Sequence, residues 1–161
     1  MKNILLIFII LFISCESDTS QIHESAFVAD THNDVLLRSL TGRDILTDLP
    51  ESHSDLPKFK KGGVDLQVFS IYVDPTEFKG QYYQQANVMI DQLEYLCSRV
   101  PDQWAIPFNY QDIVYYDQKN ILSCMIGVEG GHMIENDLAK LEALYKRGMR
   151  YLGVTWNNSN E

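Results

Sequence analysis

Short apolar runs alternate along this chain with longer stretches in which apolar residues recur every three or four positions. The runs are Ala26–Asp30, Val64–Val73, Ile121–Val128 and Tyr151–Trp156. Each has the length and near-continuous apolarity of a strand covered on both faces. Between the second and third runs, Tyr82, Ala86, Met89, Leu93 and Leu96 step at helical spacing, which predicts a long helix over 81–100. Leu138, Leu141, Leu144 and Tyr145 predict another apolar helix face, with Glu135, Asn136 and Asp137 at its start. Lys146, Arg147 and Gly148 close that helix with cations and then a stop.

Punctuation supports shorter elements. Val35–Leu40 predicts a helix or turn, and Thr41–Ser54 a polar loop. Asp55 caps a short helix over Leu56–Lys61, with Pro57 tolerated in its first turn and Gly62-Gly63 ending it. Trp104–Pro107 reads as a short extended piece, and Asn109 as the cap of a helix reaching Gln118. Strand, helix, strand, helix, strand, helix, strand is the rhythm of parallel strands joined by helical crossovers.

The N-terminus departs from this pattern. Ile4 to Ile13 is an apolar run of ten residues after one lysine, too short to span a bilayer and sized for a signal-peptide core. Phe12-Ile13-Ser14-Cys15 resembles a bacterial lipoprotein cleavage box, a small residue before cysteine. The expected organisation is a lipoprotein-type signal peptide over 1–14, a polar irregular tether over 15–25 and a folded unit over 26–161. Cleavage would leave Cys15 as the lipidation site, with more than one acyl chain for stable anchoring. The chain is then exported and held on the cell envelope; plain secretion is the other reading.

Composition narrows the function. The formal charge is −9 and pI about 4.8. No basic cluster occurs, which excludes nucleic acid as a natural partner. Cys97 and Cys124 fit no metal spacing and read as buried free thiols, with a disulfide between them as the alternative in an exported protein. His23 and His53 read as solvated.

Chemistry concentrates where strands end. Ile126-Gly127-Val128-Glu129-Gly130-Gly131-His132 closes the third run with a carboxylate, two glycines and a histidine. Glu129 either caps the next helix or belongs to a site, because strand carboxyl ends are where parallel α/β folds place their chemistry. After the first run, Thr31-His32-Asn33-Asp34 sets an imidazole and a carboxylate two residues apart, on one side of a strand. They either hydrogen-bond each other or grip one divalent ion such as zinc. Parallel strands bring their carboxyl ends to a common rim, so His32, Asp34 and Glu129 are expected to converge, which favours a metal site.

The blocks Asp30-Thr31-His32-Asn33-Asp34, Gly127-Val128-Glu129-Gly130-Gly131-His132 and Leu144-Tyr145-Lys146-Arg147-Gly148-Met149-Arg150-Tyr151-Leu152 resemble the zinc membrane dipeptidases, the renal dipeptidase-like family of amidohydrolase-type barrels. Gly62-Gly63-Val64 with Gln67–Val73 looks like that family's second strand. The resemblance runs from about Phe27 onward. It implies the N-terminal half of a (β/α)8 TIM-like barrel, roughly its first four strands. It implies that His32 and Asp34 bind a first zinc, and that Glu129 is the catalytic carboxylate bridging it to a second. A bridging anion offsets repulsion between two dications about 3.5–4 Å apart. The implied reaction is hydrolysis of a dipeptide by hydroxide activated at the zinc pair. His132 then falls to a supporting role. The resemblance also implies dimerisation of the complete protein.

Trp156 departs from the family pattern, standing where the family has a substrate-contacting histidine. It is the expected substrate-binding position here, and it keeps another amide or a lactone open as substrate. Ligands completing the second zinc site lie later in the family, and a full barrel takes about 250 residues. The expectation for these 161 residues alone is poor solubility and no activity. A surface lipoprotein that binds without turnover is the remaining alternative.

Overall fold

The computed structural model describes residues 19–160. Cys15 and the apolar run before it lie outside the described residues, and so does the expected signal peptide. Among the described residues, no helix is long and apolar enough to cross a membrane.

The chain runs α1 (Thr19–Ser25), β1 (Ala29–Asn33), α2 (Leu36–Leu40), α3 (Leu56–Lys61), β2 (Leu66–Ile71), α4 (Tyr82–Arg99), β3 (Trp104–Ala105), α5 (Tyr110–Gln118), β4 (Leu122–Glu129), a single 3₁₀ turn (Gly131–Ile134), α6 (Leu138–Lys146) and β5 (Met149–Gly153). All strand pairs are parallel: β1 with β2, β2 with β4, and both β3 and β5 with β4. Two-residue β3 pairs with Leu122 and Ser123 at the start of β4, while β5 pairs with Ile126–Glu129 at its end. Both lie along the β4 edge opposite β2. Consecutive parallel strands with helical crossovers make part of the wall of a TIM-like barrel.

β2 is buried along its whole length, which is why it reads as a mainly apolar run, broken only by Gln67 and Ser70, rather than an alternating one. α4 covers one face of the sheet with Ala86, Met89, Ile90, Leu93 and Leu96, all buried. Burying each of the larger side chains stabilises the fold by about 1.5–3 kcal/mol. Beneath them Phe59, Phe69 and Trp104 interlock, with ring centroids 5.2–6.1 Å apart.

Both expected caps form. The Asp55 side chain accepts from the Lys58 N–H and that of Asn109 from the Asp112 N–H. Asp55 does more than cap: its carboxylate also accepts the Leu49 N–H at 2.9 Å and pairs with the Lys58 ammonium. Burial alone would push its carboxyl up, but these bonds hold it below the usual range. Arg147 bolts α6 to α4, bonding Asp91 at 2.6 Å and Glu94 at 2.8 Å.

Several expectations need correction. The segment expected to be an irregular tether is helical over Thr19–Ser25; His23 on it is exposed, as expected, and also contacts the Gly62 carbonyl at 3.0 Å. In α6 only Leu144 is buried, while Leu138 and Tyr145 face outward, so its apolar stripe is narrower than the spacing suggested. The fourth run is a strand only to Gly153, which leaves Trp156 in the loop beyond it. Cys124 is buried and Cys97 half-buried, both free. Burial, with the neighbouring Cys97 thiol, pushes the Cys124 thiol well up.

Candidate metal centre

β1 delivers His32, and the turn after it delivers Asp34. The pairing of β1 with β2 is not regular. Asp30 faces Gln67 but Asn33 faces Phe69, so β1 carries one extra residue between them. Such a bulge re-aims side chains at a strand end, and here it falls on Thr31-His32. The local side chains hold the distortion in place. Asp30 Oδ1 accepts the His32 N–H at 3.2 Å. Asn33 Oδ1 accepts the Val35 N–H at 3.0 Å, starting the turn into α2, and Asn33 Nδ2 donates to Ser54 Oγ.

β4 delivers Glu129 as its last residue. Gly130 follows with φ of 122°, a backbone region open mainly to glycine. A Cβ there would also lie 2.5 Å from the His132 ring. Gly131 then donates its N–H to the Val154 carbonyl at 3.0 Å, so close that a Cβ at Gly131 would lie 2.6 Å from that oxygen. The two glycines thus let the chain turn sharply and tie the β4 rim to the segment after β5.

The three side chains meet. His32 Nε2 lies 3.5 Å from Asp34 Oδ1 and 3.6 Å from Glu129 Oε2. One donor atom from each lies within 4.8 Å of the others, and this is the one such cluster among the described residues. Separations of 3.5–3.6 Å are long for hydrogen bonds. They are close to the edge of about 3.3–3.4 Å that two donors share around a tetrahedral zinc with ligand bonds of about 2.0–2.1 Å. One imidazole nitrogen and two carboxylate oxygens are also the donor chemistry of zinc or a similar divalent ion. The residues present therefore fit a metal.

Ser70 is a contributor that the sequence reading passed over. It is 2% exposed on β2 and donates to Glu129 Oε2 at 2.9 Å. The sequence marks it only as a polar residue one place before the end of an apolar strand. Gln67, also buried, donates through Nε2 to the Asp30 carbonyl at 3.3 Å. His132 is not part of the cluster. It is buried, with Nε2 3.0 Å from the Val73 carbonyl and its ring edge-on to Tyr82. That agrees with the supporting role expected for it. His53 is exposed and lines a shallow cleft with Asp34 and Arg38. Trp156 lies beside the cluster, its ring 4.8 Å from that of Tyr72.

A parallel α/β sheet thus carries on its carboxyl rim a nitrogen–oxygen donor triad suited to one divalent ion. The chain belongs to the membrane dipeptidase family, peptidase family M19, whose model matches residues 16–161. Family M19 is metal-dependent. Dipeptidase 3 of Mus musculus is 31% identical over 138 residues, covering 82% of this chain and 27% of the mouse protein. An uncharacterised dipeptidase of Schizosaccharomyces pombe is 29% identical over 159 residues, 87% of this chain and 38% of its own length. Among solved structures, dipeptidase AC, a metallopeptidase of family M19, superposes with a TM-score of 0.73 at 27% identity, covering 82% of this chain and 43% of that one. The probable dipeptidase PvdM of Pseudomonas aeruginosa shares the fold, with a TM-score of 0.78 at 19% identity over 89% of this chain and 38% of its own. The chain thus spans from about a quarter to about two-fifths of the length of these relatives.

Proposed function

We propose that this chain contributes the first-metal half of a zinc dipeptidase that hydrolyses the peptide bond of dipeptides at a binuclear centre. The observation that carries the reading is the convergence of His32 Nε2, Asp34 Oδ1 and Glu129 Oε2 within 4.8 Å at the strand ends, in a chain of the M19 family.

His32, Asp34 and Glu129 would hold one zinc. Ser70 donates to Oε2 of Glu129, and the same carboxylate would be shared with a second ion. When bound, zinc supplies Lewis-acid polarisation of the scissile carbonyl and lowers the pKa of water toward neutrality. The chain's own residues fix the geometry in which this happens. Asp30 and Asn33 hold the His32–Asp34 turn through backbone N–H groups, and Ser70 fixes the Glu129 rotamer. Trp156 borders the site and offers substrate an apolar face. It has no imidazole with which to meet a developing oxyanion, and this favours a second reading in which the substrate is another amide or a lactone.

In the same reading the protein is exported and held to the envelope membrane through lipid on Cys15, and the complete protein dimerises. The test is hydrolysis by the zinc-loaded full-length protein of dipeptides of both stereochemistries, beside simple lactones. Dipeptide turnover that Glu129→Gln abolishes supports the reading. Lactone turnover alone transfers it to the second substrate class, and full activity in Glu129→Gln refutes the bridging role.

A further inference from the structure

The carboxyl rim that carries the metal-ligand triad also carries an aromatic pair, Tyr72 and Trp156. Tyr72 follows the last residue of β2. Its ring packs on Trp156 with centroids 4.8 Å apart and planes inclined at 56°, a tilted arrangement of the kind aromatic pairs favour. Asp74, two residues on, sets its carboxylate near the Tyr72 hydroxyl. That carboxylate is itself anchored, accepting the N–H groups of Thr76 and Glu77 at 2.8 and 2.9 Å.

The Val154 carbonyl, two residues before Trp156, accepts from Gly131 N–H and from Asn160 Nδ2 at 2.5 Å. The Trp156 Cβ lies against Gly130, only 3.6 Å from where a Cβ would stand, and Gly130 is the neighbour of Glu129. The pair therefore sits at the β4 rim, one residue along from Glu129. Trp156 remains 37% exposed, so it is open in part to a ligand. The electrostatics of the same corner are one-sided. Among the described residues no lysine or arginine pairs with Asp74. Burial, then the charges of Asp74, Glu129 and Asp34, push the Tyr72 hydroxyl up.

We propose that Tyr72 and Trp156 form a fixed apolar wall beside the metal centre that selects dipeptides carrying an aromatic or branched aliphatic side chain and rejects acidic ones. The proposal rests on the dipeptidase reading above and names its substrate class. A flat side chain laid against Trp156 gains apolar burial and a ring contact, and because the two rings already pack on each other little ordering cost offsets the gain. An acidic side chain laid there would instead approach the Asp74 carboxylate. A ring contact of this kind corresponds to a preference of about three- to tenfold over alanine.

The experiment measures kcat/KM of the zinc-loaded full-length protein for Phe-Gly against Ala-Gly and Gly-Phe against Gly-Ala, with Asp-Gly and Gly-Asp added. For one of the two orders, the Phe dipeptide should exceed its Ala partner about tenfold, and the Asp dipeptide should fall below it. In Trp156→Ala that Phe-to-Ala ratio should fall to near one, chiefly through KM, while Trp156→Phe keeps most of it. An unchanged ratio in Trp156→Ala, or a wild-type preference for Asp, overturns the proposal. If no dipeptide is turned over, the dipeptidase reading fails by itself and the wall is judged by binding. Phe-Gly should then quench a component of the tryptophan fluorescence in wild type that is lost in Trp156→Phe. Equal quenching in both, or equal affinity for Phe-Gly and Ala-Gly, overturns it.

Discussion

Ser70→Ala removes one hydroxyl and nothing else from the metal centre. Ser70 is 2% exposed and donates at 2.9 Å to Glu129 Oε2, the oxygen nearest His32 Nε2. Hydrogen bonds to charged groups contribute about 1.5–3 kcal/mol. The Glu129 side chain retains 27% exposure, so water can replace part of the lost bond and the lower end applies. About 1.4 kcal/mol is a tenfold change in an equilibrium constant, at the lower edge of the roughly 10–100-fold that outer-sphere partners of metal ligands contribute. The expected result is zinc binding about tenfold weaker, measured by competition with a chromophoric chelator on the full-length protein near pH 7. Alanine fits a position where serine was buried, so the urea unfolding midpoint of the metal-free protein should hardly move. Affinity within twofold of wild type, or a weakening matched by an equal loss of metal-free stability, would refute the claim that Ser70 acts by orienting Glu129.

Other expectations concern the frame around the site. Leu93→Ala, at a fully buried α4 position, should lower stability by about 2–5 kcal/mol, read as a fall in the urea midpoint at unchanged slope. Asp55 tests linkage to pH: its carboxyl is held below the ordinary value in the fold, so its contribution is complete above the unfolded pKa, about 4. It is lost as pH falls through the lower folded value. Asp55→Asn should therefore reduce stability at neutral pH and flatten the decline below about pH 4; an unaltered acid limb in the urea midpoint would contradict this.

How much of this could be read in the sequence differs from element to element. Ile121–Val128 and Val64–Val73 announced buried parallel strands because both their faces are covered, and α4 announced itself because one face packs and the other is solvated. Asp55 and Asn109 were legible as caps because their side chains bond the backbone a few residues ahead. His32, Asp34 and Glu129 were legible as a group only through topology, since the rule that parallel strands share a carboxyl rim brings together residues nearly a hundred positions apart. The bulge in β1 was not legible, because it is a property of the pairing with β2 and leaves no mark in β1 alone. Ser70 was hidden for a related reason: a serine in a buried strand shows its purpose only when the neighbouring strand's carboxylate is placed beside it. In α6, Leu138 and Tyr145 match helical spacing yet face outward, since periodicity reports a stripe and not what covers it.

The central claim is that His32, Asp34 and Glu129 bind metal together. Its most direct test is the zinc content of the purified full-length protein against the His32→Ala, Asp34→Ala double variant, after equilibration with zinc and removal of excess, with circular dichroism confirming an unchanged fold. The account predicts two ions per chain in wild type and at most one in the variant. Equal zinc in the two proteins, at equal helicity, would contradict it.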